Sequence, residues 1–418
     1  MKRLIGLALG GMLVLTVLCA PAFANGDIVK VMTQNQYLGL DLEPLLLAQT
    51  REEFIAAAAA ALAQAAANDF PLRARRFATE VALTAPDLIG LQEVVDFKLN
   101  GVNIGPPFVD HLTETLNALA AKGQSYVVAA TVVNLDITLP PVDVDGDGAP
   151  DLVRVVDREV ILARKGVTFT KLAGDFSTGG LCGVPIPNPV PVEPFPATLQ
   201  SSPSGDGCNY TIVAQLNSPV GPIVSKRGFV GVDATVRGKK YRFVTTHLEL
   251  RQPDPTNPSS AIFQFLQSVE LVATLQALTP LDRTLILLGD FNSSPEHAPI
   301  GPIIPPYQII VGASFVDAWD NNPLRFLNPG GFTCCQLADL SNTMSLLNER
   351  IDIIFVRGPS FLPLALVTGR VPIFPLNEPP NWVSDHGGVF ANLTFGLTRG
   401  RLVASRSDEA ALAQMADF

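Results

Sequence analysis

Side chains able to hold a metal ion, place a water or move a proton recur beside apolar strand-like runs along this chain. The clearest case is Leu285-Ile286-Leu287-Leu288-Gly289-Asp290-Phe291-Asn292, where a buried-strand pattern stops and delivers a carboxylate and a carboxamide two residues apart. Gly289 is expected to let the backbone turn so that Asp290 and Asn292 project the same way. Alone, the pair reads equally well as a cap on the turn into Ser293-Ser294-Pro295. Company at other strand ends favours chemistry. Asn35 follows the apolar run 28–32, Glu93 follows 87–92, His247 follows 241–246, Asp352 sits within 350–354, and Asp385 and His386 precede Gly387-Gly388-Val389-Phe390. Carboxylate and amide oxygens beside histidines suit phosphoester cleavage, which needs a neutralised developing charge, an activated water and a stabilised leaving oxygen.

Elements must bring these residues together. Helical patterns are expected at 52–68, 71–84, 108–121 and 262–278, and strands at 158–164, 229–236, 240–247, 284–290, 351–356 and 388–393. The neighbouring runs 229–236 and 240–247, joined by Arg237-Gly238-Lys239, read as a hairpin, so part of the sheet is antiparallel and a doubly wound parallel sheet is disfavoured. The polar strand ends run from Asn35 to His386 without an isolating linker, which implies one large domain over 25–397, followed by a tail at 398–418.

Two insertions are expected, near 136–156 and 179–222. The second is rich in Pro, Gly and Ser and reads as a long surface excursion. The first contains Asp143, Asp145, Asp147 and Asp151 at positions one, three, five and nine of a calcium loop, with Gly148 at position six; Arg154, however, occupies the twelfth position, where a bidentate Glu belongs. Calcium binding and a solvated acidic turn both fit.

Residues 1–24 show Lys2-Arg3, an apolar run over 4–17 and Ala22-Phe23-Ala24, the pattern of a secretory signal cleaved after Ala24. Its removal takes Lys2 and Arg3 and no acid, leaving 27 basic against 39 acidic side chains and a net charge of −12. That balance argues against tight nucleic-acid binding but not against a nuclease acting transiently. Cys182, Cys208, Cys334 and Cys335 remain, an even number that suits disulfides in an exported chain. Cys182 with Cys208 would close the Pro-rich loop, leaving Cys334 and Cys335 as a vicinal bridge or as thiols.

Taken in order, Gln34-Asn35, Leu91-Gln92-Glu93, Thr246-His247-Leu248, Gly289-Asp290-Phe291-Asn292, Arg350-Ile351-Asp352 and Ser384-Asp385-His386 resemble the endonuclease/exonuclease/phosphatase superfamily, which includes deoxyribonucleases, apurinic endonucleases and sphingomyelinases. The resemblance implies a four-layer α/β sandwich, with two mixed, mainly antiparallel sheets packed face to face and helices outside. It also implies metal-dependent phosphoester hydrolysis by a monomer that needs no obligate protein partner. Glu93 and Asn35 would hold Mg²⁺, or Mn²⁺ in its place, with Asp385 as a further acidic ligand. Asp290 would orient or deprotonate the attacking water and Asn292 would hold a phosphate oxygen. His247 and His386 resemble the two histidines of the deoxyribonuclease and sphingomyelinase branches. Asp352 is the expected partner of His386, and Asp157 of His247, each keeping its imidazole cationic.

Three functions follow from this resemblance: a secreted phosphodiesterase acting on nucleic acid, a sphingomyelinase-like enzyme acting on a phospholipid head group, and a non-catalytic exported binding protein on the same fold. The second needs an apolar loop that touches a membrane, for which the segment 371–382, with Ile373, Phe374, Leu376 and Trp382, is the candidate.

Overall fold

The computed structural model describes residues 28–396, apart from 142, 144–147, 175–176, 178, 191–192, 252–258, 280–282 and 374–378. The leader, the tail, Asp145, Asp147, Phe374 and Leu376 therefore lie outside the described residues.

Alternating apolar residues build two sheets that face each other. In the strand Thr284–Asp290, Ile286 and Leu288 point into the layer between the sheets, while Leu285 and Leu287 point outward. The first sheet has seven strands and contains Ile28–Asn35, Leu88–Gln92, Val153–Arg164, Phe361–Val367 and Val389–Phe395. The second has eight and contains Gly228–Val236, Lys239–His247, Thr284–Asp290 and Asp352–Arg357. Val29, Val31 and Ile161 from the first sheet meet Val232, Phe243 and Ile354 from the second in one buried cluster. Outside the first sheet, Phe70–Thr84 lays Phe77 and Val81 on Met32 and Ile89. Outside the second, Ser259–Leu278 lays Leu271 and Leu275 among Leu285, Leu287 and Phe355. This is the expected sandwich of two mixed sheets between helical layers.

Each sheet contains one parallel pair, and these pairs decide where the site lies. Ile28–Asn35 runs parallel to Leu88–Gln92 with Asn35 opposite Gln92. Lys239–His247 runs parallel to Thr284–Asp290 with His247 opposite Asp290. Two antiparallel strands start at the same end: Asp352 stands opposite Asp290, and Val389, just after His386, opposite Thr33. Strand ends separated by hundreds of residues thus share one rim.

The hairpin forms with a two-residue loop, since Val236 pairs with Lys239, and Arg237 and Gly238 both have positive φ. Gly289 departs from expectation. It lies within the strand, opposite Thr246, with φ +148°, and a Cβ there would sit 1.9 Å from the Thr246 carbonyl oxygen. Close approach of a neighbouring strand, not a turn, requires this glycine. The strand expected at 158–164 begins earlier, at Val153, and forms a long hairpin with Tyr126–Thr138, so the connection spans only 139–152. The Pro-rich stretch is not solely a surface excursion. Its Ser202–Ser204 and Gly207–Asn209 extend the second sheet, and Cys182 and Cys208, bridged with a Cα–Cα distance of 5.4 Å, are fully buried.

The sheets pack tightly at Gly90, where a Cβ would lie 2.4 Å from Leu288 Cδ1 and 2.6 Å from Thr245 Oγ1. Gly90→Val should therefore destabilise the protein by about 3 kcal/mol or more, because both sheets resist separation. Urea denaturation measures this, and a midpoint equal to wild type would contradict the packing described.

Candidate active site

Asn35 is the centre of the rim. Its Nδ2 donates to Glu93 Oε1 at 3.0 Å and to Asp290 Oδ2 at 3.1 Å, joining an acid that follows a first-sheet strand to one that ends a second-sheet strand. Its Oδ1 accepts the Tyr37 amide at 2.9 Å. Below it, Thr33 Oγ1 donates to Gln92 Oε1 at 3.1 Å and Gln92 Nε2 donates to Thr245 Oγ1 at 2.8 Å, a buried polar bridge between the sheets. Glu93 sits at φ +53°, a conformation that costs a residue with a Cβ about 1 kcal/mol or more, and its Oε2 accepts the Leu38 amide at 2.8 Å. Asn292 has φ +47°, more tolerable for asparagine, and its own amide donates to Asp290 Oδ1 at 2.9 Å.

His386 Nδ1 donates to Asp352 Oδ2 at 2.8 Å, because an ionised carboxylate can only accept. Its Nε2 lies 4.0 Å from Asp385 Oδ1, and Asp290 Oδ2 is 3.9 Å from its Nδ1. Burial alone would lower this imidazole's pKa. Asp352, Asp385 and Asp290 outweigh it and raise the pKa well above the usual value, so His386 is a cation. Burial, then Asp352, pushes Asp290 up to about 7, with His386 pulling against them.

His247 is different, and here the structure corrects the sequence reading. Asp157 makes no hydrogen bond to it. Arg227 Nη1 donates to His247 Nδ1 at 2.9 Å, and Nε2 lies 3.4 Å from Asp290 Oδ2 and 3.2 Å from Asn292 Nδ2. Guanidinium can only donate, and Arg227 Nη1 also stands 3.3 Å from Nε2, so both ring nitrogens face donors. Burial, then Arg227 and His386, lowers the His247 pKa well below the usual value, so this histidine is neutral rather than cationic. Arg227 supplies the positive charge on that side. It was missed because it precedes the strand Gly228–Val236, and only the register, Gly228 opposite His247, reveals that a strand start faces the rim. Glu159, also missed, is fully buried, accepts Asn134 Nδ2 at 2.7 Å and faces the His247 backbone.

Asp157 instead stands near Glu93. Its Oδ1 is buried without a hydrogen-bond partner, and burial, then Glu93, raises its pKa to about 7. Asp385 is raised to about 6 by burial, with Glu93 adding and His386 opposing. Glu93 thus acts on two other buried acids, and the donors are all oxygens. Such crowding, with an unpartnered carboxylate oxygen, fits a hard divalent cation. Of the acidic loop, Asp143 Oδ2 accepts the Gly148 amide at 3.0 Å, while Asp151 is buried and accepts Asn100 Nδ2 at 2.6 Å. Cys334 and Cys335 form a vicinal bridge beside His386, between Glu349 and Asp385. His111 is buried and stacked on Phe70, and His297 pairs with Glu349, so neither joins the rim. Trp382 is fully buried, its indole N–H bound to the Asn342 carbonyl, and so cannot touch a membrane.

Residues 60–386 match the model of the Endonuclease/Exonuclease/phosphatase family. The chain belongs to this family. Endonuclease/exonuclease/phosphatase proteins are phosphoester hydrolases, generally dependent on divalent metals, that act on nucleic acids or other phosphoesters. A family structure from Beutenbergia cavernae DSM 12333 is 20% identical, with a TM-score of 0.47, covering 88% of this chain and 72% of that one. A mannosyl-6-phosphatase from Bacteroides thetaiotaomicron VPI-5482 is 16% identical, with a TM-score of 0.46, covering 88% of this chain and 100% of that one. Humanized D. rerio TDP2 is 16% identical, with a TM-score of 0.44, covering 88% of this chain and 99% of that one. No curated protein matches the chain.

Behind the acids lies Arg73, fully buried on the same helical stripe as Phe70 and Phe77. It donates to the carbonyls of Asn68, Gln36, Val383 and Tyr37 at 2.7–3.1 Å, tying the segments that follow Asn35 and precede Asp385 to one helix. An arginine on an apolar helical face was the sequence signal for it. Arg73→Met should cost about 3–5 kcal/mol by stranding these carbonyls in a buried site. A thermal melt reports the loss, and wild-type stability would show that the carbonyls find other partners.

Proposed function

We propose that this chain is an exported, divalent-metal-dependent phosphodiesterase of the endonuclease type. The observation that carries this reading is the pair of cations, His386 and Arg227, that both act on Asp290. A phosphodiester bears one negative charge and gains more in the transition state, so fixed cations in a buried site stabilise cleavage. Export is supported by the leader pattern over 1–24 and by the buried Cys182–Cys208 bridge.

Glu93 and Asp385 would hold Mg²⁺ or Mn²⁺, with Asp157 close by; Asn35, expected as a ligand, turns Nδ2 to Glu93 and Oδ1 to the Tyr37 amide and so positions Glu93 instead. The cation supplies charge neutralisation at the phosphate oxygens and the leaving group. Asp290, whose carboxyl burial and then Asp352 push up to about 7, accepts the proton of the attacking water. Its orientation is held by the Asn292 amide and by Asn35 Nδ2. Asn292 Nδ2, already placed between His247 Nε2 and the Leu248 carbonyl, lies where a phosphate oxygen can be bound. His386, oriented by Asp352, presents Nε2–H to the phosphate or to the leaving oxygen. The neutral His247 stands beside Asp290, and Arg227 holds its ring.

A phospholipid substrate is the second reading. It is supported by Leu337, Met344 and Leu346, which are exposed on the loop beside His386; the loop is tied there by the Gln336 amide to the Asp385 carbonyl. These apolar side chains, not Trp382, would meet a bilayer.

Purified protein with Mg²⁺ should cleave plasmid DNA and the small ester bis(p-nitrophenyl) phosphate, and lose both activities on chelation by EDTA. Turnover of sphingomyelin liposomes with plasmid left intact would select the phospholipid reading instead. His386→Ala should lower turnover of the small ester by about 100- to 10,000-fold, and Asp352→Asn should also lower it by releasing the imidazole. Undiminished hydrolysis by His386→Ala would refute the catalytic reading and leave a binding protein on the same fold.

A further inference from the structure

A cavity of about 680 Å³ opens away from the catalytic rim, bounded by the helix Phe70–Thr84, the strands Phe361–Val367 and Val389–Phe395, and the turn Pro323–Leu327. None of the residues assigned to the phosphoesterase site lines it. The helix covers the central strands of the first sheet with Phe77 and Val81, and the cavity lies beyond it, over the edge strand Phe361–Val367 and its neighbour Val389–Phe395.

The wall is largely apolar, with Leu83, Leu366 and Phe390 among its residues, and Lys30, Arg76 and Arg370 also line it. None of these three cations forms an ion pair among the described residues. Asp87, which acts on Lys30 through space, is already held by Arg237 Nη1 and Nη2 at 2.8 and 3.1 Å. In a chain of net charge −10, three such cations around one apolar cavity run against the overall balance. The single acid in the lining, Glu80, does not cancel them. Burial pushes its carboxyl up to about 7, with Thr368, Arg76 and the Gly369 amide pulling against, so at lower pH it is a neutral donor. A cavity of this size, with an apolar wall and cations that have no ion-pair partner, points to a ligand with an apolar body and a negative head.

We propose that this cavity binds an apolar-tailed anion, a long-chain carboxylate, with its tail against Leu83, Leu366 and Phe390 and its head group among Lys30, Arg76 and Arg370. Neither a free anion nor a neutral lipid satisfies both halves of the lining: the first leaves the apolar wall wet, and the second leaves the cations unpaired. The site is independent of the phosphoesterase reading, since binding needs no turnover.

Calorimetric titration of the full chain with decanoate, below the concentration at which it forms micelles, tests the proposal. Decanoate should bind, while acetate and decyltrimethylammonium should each bind at least about tenfold more weakly, lacking the tail or carrying the wrong charge. Arg76→Glu with Arg370→Glu should weaken decanoate by about tenfold or more, and Thr79→Trp, which fills the cavity from the helix, should do the same. Thr79→Trp also guards against the charge-reversed variant failing to fold. Absence of decanoate binding, equal binding of decanoate and decyltrimethylammonium, or wild-type affinity in a folded variant of either kind would overturn the proposal.

Discussion

The hydrogen bond from Asn35 to Asp290 is the contact on which the rest of this structure depends. It joins the first sheet to the second at the end where Asn35 and Asp290 close the two parallel strand pairs. The Thr33–Gln92–Thr245 bridge and the close approach at Gly90 support that junction from below. Thr33, Asn35, Gln92, Thr245 and Asp290 are all buried, and the hydrogen bonds that satisfy them favour one way of stacking the sheets.

The seam concentrates charge that an ordinary core would not hold. Asp157, Asp290 and Asp385 gather beside Glu93 and Asp352, and burial makes the ionisation of these three costly. Arg73 and Arg227 offset part of that cost from opposite sides, and His386 offsets more by remaining protonated. The left-handed backbone at Glu93 belongs to the same balance: local strain is accepted because it turns a carboxylate toward Asn35 instead of along the strand.

The two histidines show how similar residue types acquire different properties from their neighbours. His386 faces three carboxylates and is cationic; His247 faces a guanidinium and is neutral. Histidine at a strand end is visible in the sequence, but its protonation is a property of groups brought in from other strands. Asp157 was assigned to His247 because it stands in the right segment. The strand places its carboxyl toward Glu93 instead, while Glu159, two residues on, faces the His247 backbone.

Much of this protein was legible in the chain itself. Apolar periodicity located the strands 284–290 and 240–247 and the principal helices, because alternation and helical spacing are local properties that burial enforces. Polar residues at strand ends marked Asn35, Glu93, His247, Asp290, Asn292, Asp352, Asp385 and His386, because polar groups beside a buried strand need a reason to be there. What only the tertiary structure decided depends on register between strands far apart in sequence. It set Gly289 against the Thr246 carbonyl, brought Arg227 to His247, drew the Pro-rich segment into the second sheet, and placed a cavity lined by cations over the edge of the first sheet. Residue type and spacing declare which groups are available for chemistry, but pairing across sheets determines which of them meet, and therefore their charge.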